Sequence, residues 1–176
     1  MPTSLSSPNV SNLYLGTGIV SIKQTGESQY VDAGNATALT FTPKITLLDH
    51  FSSRSGIKSK DLSVVLQKEA TLKITLEEYT ARNMAMLLLG DLTITSTTHA
   101  SVNVLNQSQI NAAIQFVGHN DVGPKWSLVF PICQIVPTGA MDPINSGKFG
   151  TLEVTANVLA DDYGSFGTAT CVFDGV

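Results

Sequence analysis

Residues 62–76, LSVVLQKEATLKITL, decide the fold. Even positions place Leu62, Val64, Leu66, Ala70, Leu72, Ile74 and Leu76 on one face, and odd positions place Ser63, Gln67, Glu69, Thr71, Lys73 and Thr75 on the other. Only Val65 and Lys68 break the rule. A period of two is the signature of a strand with one face buried. Fifteen residues in that form span roughly 50 Å, against five or six residues for an ordinary strand. A strand this long bends or leaves the footprint of its own domain.

The segment before it alternates too. Over residues 38–48, Leu39, Phe41, Pro43, Ile45 and Leu47 share a face, with Thr40, Thr42, Lys44 and Thr46 opposite. Pro43 lacks an amide donor, which points to an edge or a bulge. Between the two runs lies DHFSSRSGIKSKD, residues 49–61. That is too long for a tight hairpin turn, and loops of this length are uncommon unless functional. Its residues are candidates for contact with a partner.

The period changes after residue 76. TLEE at 75–78 has the form of a capping box, with Thr75 as N-cap and Glu78 reaching back. Leu76, Thr80, Met84, Leu87 and Leu88 then recur at helical spacing, and Gly90 is placed to end the helix. The reading is one helix over residues 76–89. Further strands are expected at 12–23, 112–118, 125–136, 148–160 and 168–173. In WSLVFPICQIV both faces are apolar, which suggests burial on both sides. In TLEVTANVL, Leu152, Val154, Ala156 and Val158 point inward. Residues 91–111 read as a loop with short strands, and 137–147 as a loop. The fold class is therefore mainly β: an antiparallel sandwich or partial barrel with one helix.

The chain has 176 residues, read as one domain, 1–176, with an extended N-terminal arm at 1–11. Charged residues make up 14%, well below the usual quarter, so much of the surface is expected to be covered. A net charge of -4 argues against nucleic acid as a tightly held partner. The first residues lack the basic and apolar parts of a signal peptide, and no apolar run reaches membrane-spanning length. A reducing cytosol is the expected compartment, with Cys133 and Cys171 as free thiols.

Motifs for chemistry are missing from the sequence. His50, His99 and His119 show no ligand spacing, and GTG at 16–18 lies in a strand with no helix after it. No nucleophile elbow, phosphate loop or zinc-protease pattern occurs. The expectation is no enzyme activity, no metal and no cofactor. Charge is uneven: three basic residues lie in 49–61, whereas from Phe149 onward there are Glu153, Asp161, Asp162 and Asp174 with no Lys or Arg. Two such regions suit contact between copies, or are simply two solvated patches.

Residues 41–90, FTPKITLLDHFSSRSGIKSKDLSVVLQKEATLKITLEEYTARNMAMLLLG, resemble the centre of a tailed-bacteriophage tail tube protein. The later segments GHNDVGPKWSLVFPICQIVPTGAMDPI and FGTLEVTANVLAD are similar to that family's later strands and linking loop. The resemblance implies subunits that form hexameric rings, stacked helically into a hollow tube with strands joined across subunits. It implies an assembly arm at 49–61, where Asp49, His50, Phe51, Ser52, Ser53, Arg54, Ile57, Lys58, Lys60 and Asp61 meet neighbouring subunits and rings. Partners follow from it: a tape-measure protein, a tail terminator, distal tail or baseplate proteins, and genomic DNA passing without specific binding. The implied place is a virion tail assembled in the bacterial cytoplasm. The long non-contractile type is the closer match, with contractile-tail, pyocin and secretion-system tubes as alternatives. Glu27, Asp32, Glu69 and Glu153 are the candidates to face a lumen, since an acidic or neutral wall lets DNA slide. A virion β-sandwich binding module is a further alternative, though the sole Trp126 falls in an apolar strand rather than an exposed groove.

Overall fold

A computed structural model describes residues 9–54, 56–137, 141, 143–144 and 146–172. Most of the arm at 1–11, the centre of the 137–147 loop and Asp174 lie outside the described residues. Among the described residues the strands, in chain order, are β1 (Thr17–Gln24), β2 (Val31–Asp32), β3 (Ala36–Ser52), β4 (Ser59–Leu76), β5 (Asp91–Ser96), β6 (His99–Asn103), β7 (Ile110–His119), β8 (Lys125–Val136), β9 (Leu152–Val158) and β10 (Thr168–Val172), with one α-helix, α1 (Ala81–Leu87), between β4 and β5 and a short 3-10 turn at Val10–Asn12.

Eight strands form one antiparallel sheet in the order β2-β1-β7-β8-β9-β4-β3, with β10 also pairing β8. The sheet curls without closing. Phe41 on the edge strand β3 stacks on Phe130 of β8, ring centroids 5.2 Å apart. The enclosed core draws on Ile22, Leu72, Ile74, Leu76, Ile114, Cys133, Leu152 and Val154, with Met86 and Leu87 supplied by α1. Alternation holds where two strands face this core. Leu152, Val154, Ala156 and Val158 are all buried, as are Ala70, Leu72, Ile74 and Leu76. Each Val, Leu or Ile side chain among them contributes about 1.5–3 kcal/mol when fully buried. β5 and β6 pair only with each other, so the 91–111 region is largely a hairpin packed on α1.

The helix is shorter than its sequence pattern. β4 continues to Leu76, held on one side by Ala36 and Ala38 and on the other by Leu152 and Glu153. Two ladders outweigh the local capping signal. Thr80 is the N-cap instead, its hydroxyl accepting from the Asn83 amide at 3.1 Å. Glu78 turns to the β2–β3 loop, where its carboxylate accepts the Asn35 amide at 2.9 Å. At the far end Leu89 takes the left-handed conformation (φ 45°), and the Gly90 amide donates to Ala85 O at 2.9 Å. That is a Schellman closure. Gly90 is needed for a different reason: a Cβ there would lie 2.4 Å from Asn103 O of β6.

β8 is not covered on both faces. Phe130, Cys133 and Ile135 are buried, whereas Ile132 remains exposed on the outer face; Trp126 lies on the inner side with Leu128 and is exposed there at the open end of the strand. β10 and β9 pair with this strand edge to edge and therefore cover neither side.

Candidate functional site

β3 and β4 have 17 and 18 residues, three times the common length, and only part of that length belongs to the sheet. β9 accompanies β4 from Ala70 to Leu76 and no further. Beyond that point the two strands pair only with each other, out to Ser52 opposite Ser59. The expected loop at 49–61 is therefore a correction: most of it is strand, since β3 runs to Ser52 and β4 begins at Ser59. Pairing continues because Ile45, Thr46 and Phe51 on one strand and Val64 and Val65 on the other favour a pleated ladder.

Two bulges shape this hairpin. Thr46 pairs Gln67 while Leu47 pairs Val65, so Leu66 is the extra residue; His50 pairs Leu62 while Phe51 pairs Lys60, so Asp61 is the second. A bulge shifts which side chains share a face. Beyond Leu66, Val65 joins Leu47 on the face that carries Phe41 and Ile45, and Leu62 and Val64 lie with Leu48 on the opposite face. The single apolar face expected over residues 62–76 is thus split, and Val65 ceases to be an exception. Both faces of the distal hairpin are apolar, and both are open: Leu47, Leu48, Leu62, Val64 and Val65 are each about half exposed, and Ile57 at the tip is 80% exposed. Isolated two-stranded ribbons are marginal in water, and unpaired edges of this kind are ready to pair again.

Polar groups near the tip are tied within the chain. Lys60 Nζ lies 2.8 Å from Asp49 Oδ1, and the Ser63 hydroxyl donates to the same oxygen at 2.6 Å. These donors hold the Asp49 carboxyl below its ordinary range, the Lys60 contact contributing most. His50 Nδ1 approaches Asp61 Oδ1 at 2.6 Å. So Asp49, His50, Lys60 and Asp61 brace the hairpin, while Phe51, Arg54, Ile57 and Lys58 are left projecting.

The four acidic candidates do not gather in one place. Glu69 pairs Lys44 and Glu153 pairs Lys73, each at 2.9 Å, on the exposed side of the β3–β4–β9 sheet. Glu27 is held by Arg82 of α1 at 2.6 Å in a half-buried contact that ties the β1–β2 turn to the helix. Asp32 accepts the Gly34 amide at 2.9 Å. Sequence reasoning missed the Glu27–Arg82 link, because nothing local couples residues so far apart.

Among the described residues no helix is long and apolar enough to cross a membrane. Among the described residues no three His, Cys, Asp or Glu side chains group as a metal site. Cys133 and Cys171 are both free; burial pushes the Cys133 thiol up to about 12, so it is inert at neutral pH. An open apolar cleft of about 380 Å³ runs between Tyr14, Phe116 and Trp126 on one side and Ala36–Leu39 of β3 on the other. It marks the unclosed seam of the curled sheet.

Comparison with solved structures finds chains of similar fold. A chain of the anti-feeding prophage baseplate, solved by cryo-electron microscopy with six-fold symmetrisation, superposes with a TM-score of 0.51 at 12% identity, over 94% of this chain and 97% of that one. At that identity the two share the fold. A chain from the tail of an empty GTA particle, refined helically with C6 symmetry, gives a TM-score of 0.46 at 12% identity, over 90% and 96% of the two chains. No curated protein matches the sequence. A family model described as "Protein of unknown function UCP028589" matches residues 13–101, which takes in β1 to β5, the start of β6 and the projecting hairpin. The chain belongs to that family, the protein of unknown function UCP028589.

Proposed function

We propose that the chain is a structural subunit of a phage-type tail tube, self-assembling into six-membered rings that stack into a conduit. One observation carries this reading: a hairpin that leaves its own domain with apolar side chains open on both faces. A monomer gains nothing from such an element, since its surface costs solubility and its ladder is supported from neither edge. An assembly buries it. The likeness in fold to a baseplate chain from a six-fold particle supports the reading, as does the resemblance of residues 41–90 to tail tube proteins. That neighbour does not favour the narrower identification with long non-contractile tails, so the proposal covers tubes of either kind.

In this reading the chain performs no catalysis and binds its DNA cargo only in passing. Glu69 and Glu153, each beside a lysine, present near-neutral pairs, and a neutral wall does not hold phosphates. The tape-measure protein, terminator and baseplate proteins are partners on the same footing. Electron microscopy of the purified protein tests the proposal. Six-fold rings or long tubes are the expected result; a monodisperse monomer at every concentration and salt condition contradicts it and favours a virion binding module.

A further inference from the structure

The hairpin tip is basic, and its own chain supplies only part of its counter-charge. Lys60 is taken by Asp49. Arg54 and Lys58 form no ion pair among the described residues. The matching carboxylates lie elsewhere. Asp161 and Asp162 sit in the turn between β9 and β10, again without an ion pair among the described residues. Asp161 Oδ1 accepts the amides of Tyr163 at 2.9 Å and Ser165 at 2.8 Å, which fixes the turn without neutralising its charge. Tyr163 beside them is 96% exposed.

Distance keeps these two regions apart within one molecule. β9 ends at Val158, opposite Ala70 of β4, and the segment after it lines the same notch as Lys68–Thr71 at the hairpin base. From Ala70 the strand runs to Ser59 at the tip, about 30 Å at the usual rise once two bulges are allowed for. Even fully extended toward the tip, the three residues from Val158 to Asp161 cover only about 10 Å. Roughly 20 Å remain, more than two Debye lengths at physiological salt. The tip cations and the turn carboxylates of one chain do not neutralise each other.

We infer that the hairpin tip of one copy seats on the 161–163 turn of a second copy, with Arg54 and Lys58 against Asp161 and Asp162. This rests on the self-assembly proposed above and names the surface that receives the arm. Two cations meet two carboxylates, and the Tyr163 ring offers a face on which the Arg54 guanidinium stacks. The apolar flanks of the hairpin then lie along the second copy on their way to its turn. The copies are displaced by the reach of the hairpin, on the order of 20 Å or more. Each copy keeps one free tip and one free turn, so the contact is heterologous and closes into a ring or repeats along an axis.

Charge exchange tests the seating. Lys58→Glu, Arg54→Glu and Asp162→Lys are made singly, and Asp162→Lys is combined with each tip variant, all in the full chain. All five touch exposed side chains outside the core, so thermal unfolding of the monomer is expected to match the parent. Each single change is expected to lower the assembled fraction about tenfold, and at least one combination to restore it to within about twofold of the parent. Full assembly by Asp162→Lys, or failure of both combinations to restore it, overturns the inference while leaving the proposed function standing. A parent chain that never assembles removes both.

Discussion

The two halves of β4 have the same local preference and opposite environments. Residues 70–76 are flanked by β3 and β9 and send Ala70, Leu72, Ile74 and Leu76 into the core. Residues 59–69 have one neighbouring strand, and Leu62, Val64, Val65 and Leu66 stand half exposed. Four apolar residues lie on each side of that border. Apolar pattern alone therefore states that a surface is to be covered; it does not state by what. In the inner half the covering is the chain's own sheet. In the outer half, under the proposed assembly, it is a second molecule.

Substitutions in the two halves should separate most widely. Leu72→Ala is expected to destabilise the monomer by about 2–5 kcal/mol, because the core cannot refill the cavity. Val64→Ser and Leu62→Ser should shift monomer stability by no more than about 0.5 kcal/mol, as exposed positions do, yet abolish assembly. Chemical denaturation and sedimentation measure the two effects. Equal destabilisation by both kinds of change would erase the distinction.

Removing the outer half sharpens it. Joining Leu48 to Val64 through Asn-Gly, in place of residues 49–63, closes a regular two-residue turn opposite an existing cross-strand pair. The shortened chain should keep the parent's unfolding midpoint to within a few degrees and remain monomeric.

Next in size is the border between β4 and α1. Thr80→Ala should cost about 1 kcal/mol through loss of the cap that accepts the Asn83 amide. Thr75→Ala should show no capping loss, since Thr75 lies in the ladder. This is where the sequence misled most. TLEE satisfies every local rule for a helix start, but Thr75 is paired on both sides by strands distant in sequence. The inward set of β9 was legible because one face alone meets the core. The bulge at Leu66 was not, because a bulge is set by the partner's register; only Val65, out of phase, hinted at it. Likewise the residues singled out at 49–61 do lie together, but their separation into bracing and projecting groups depends on which cross-strand neighbour each one meets.

The thiols offer a smaller contrast between interior and surface. Cys171 should react with a thiol reagent in the folded protein, and Cys133 only on unfolding. Because burial raises the folded Cys133 pKa from 9.0 to about 12, the unfolded chain loses its proton first as pH rises. The contribution is present below pH 9 and is lost between about 9 and 12.

Smallest is the brace at the tip. Lys60→Ala should raise the Asp49 pKa toward its ordinary value, read by NMR titration of the side-chain carboxyl. With its folded pKa depressed, Asp49 supports the hairpin at neutral pH and stops doing so as pH falls through that pKa.

The central claim is that the outer hairpin is an interface between copies, and hydrogen exchange at residues 44–68 measures it most directly. The amides on its unpaired edges should exchange freely in the monomer and become protected in the assembled particle, in step with Leu47, Leu48, Val64 and Val65 losing exposure. Particles that form while those amides exchange as fast as in the monomer would contradict the claim.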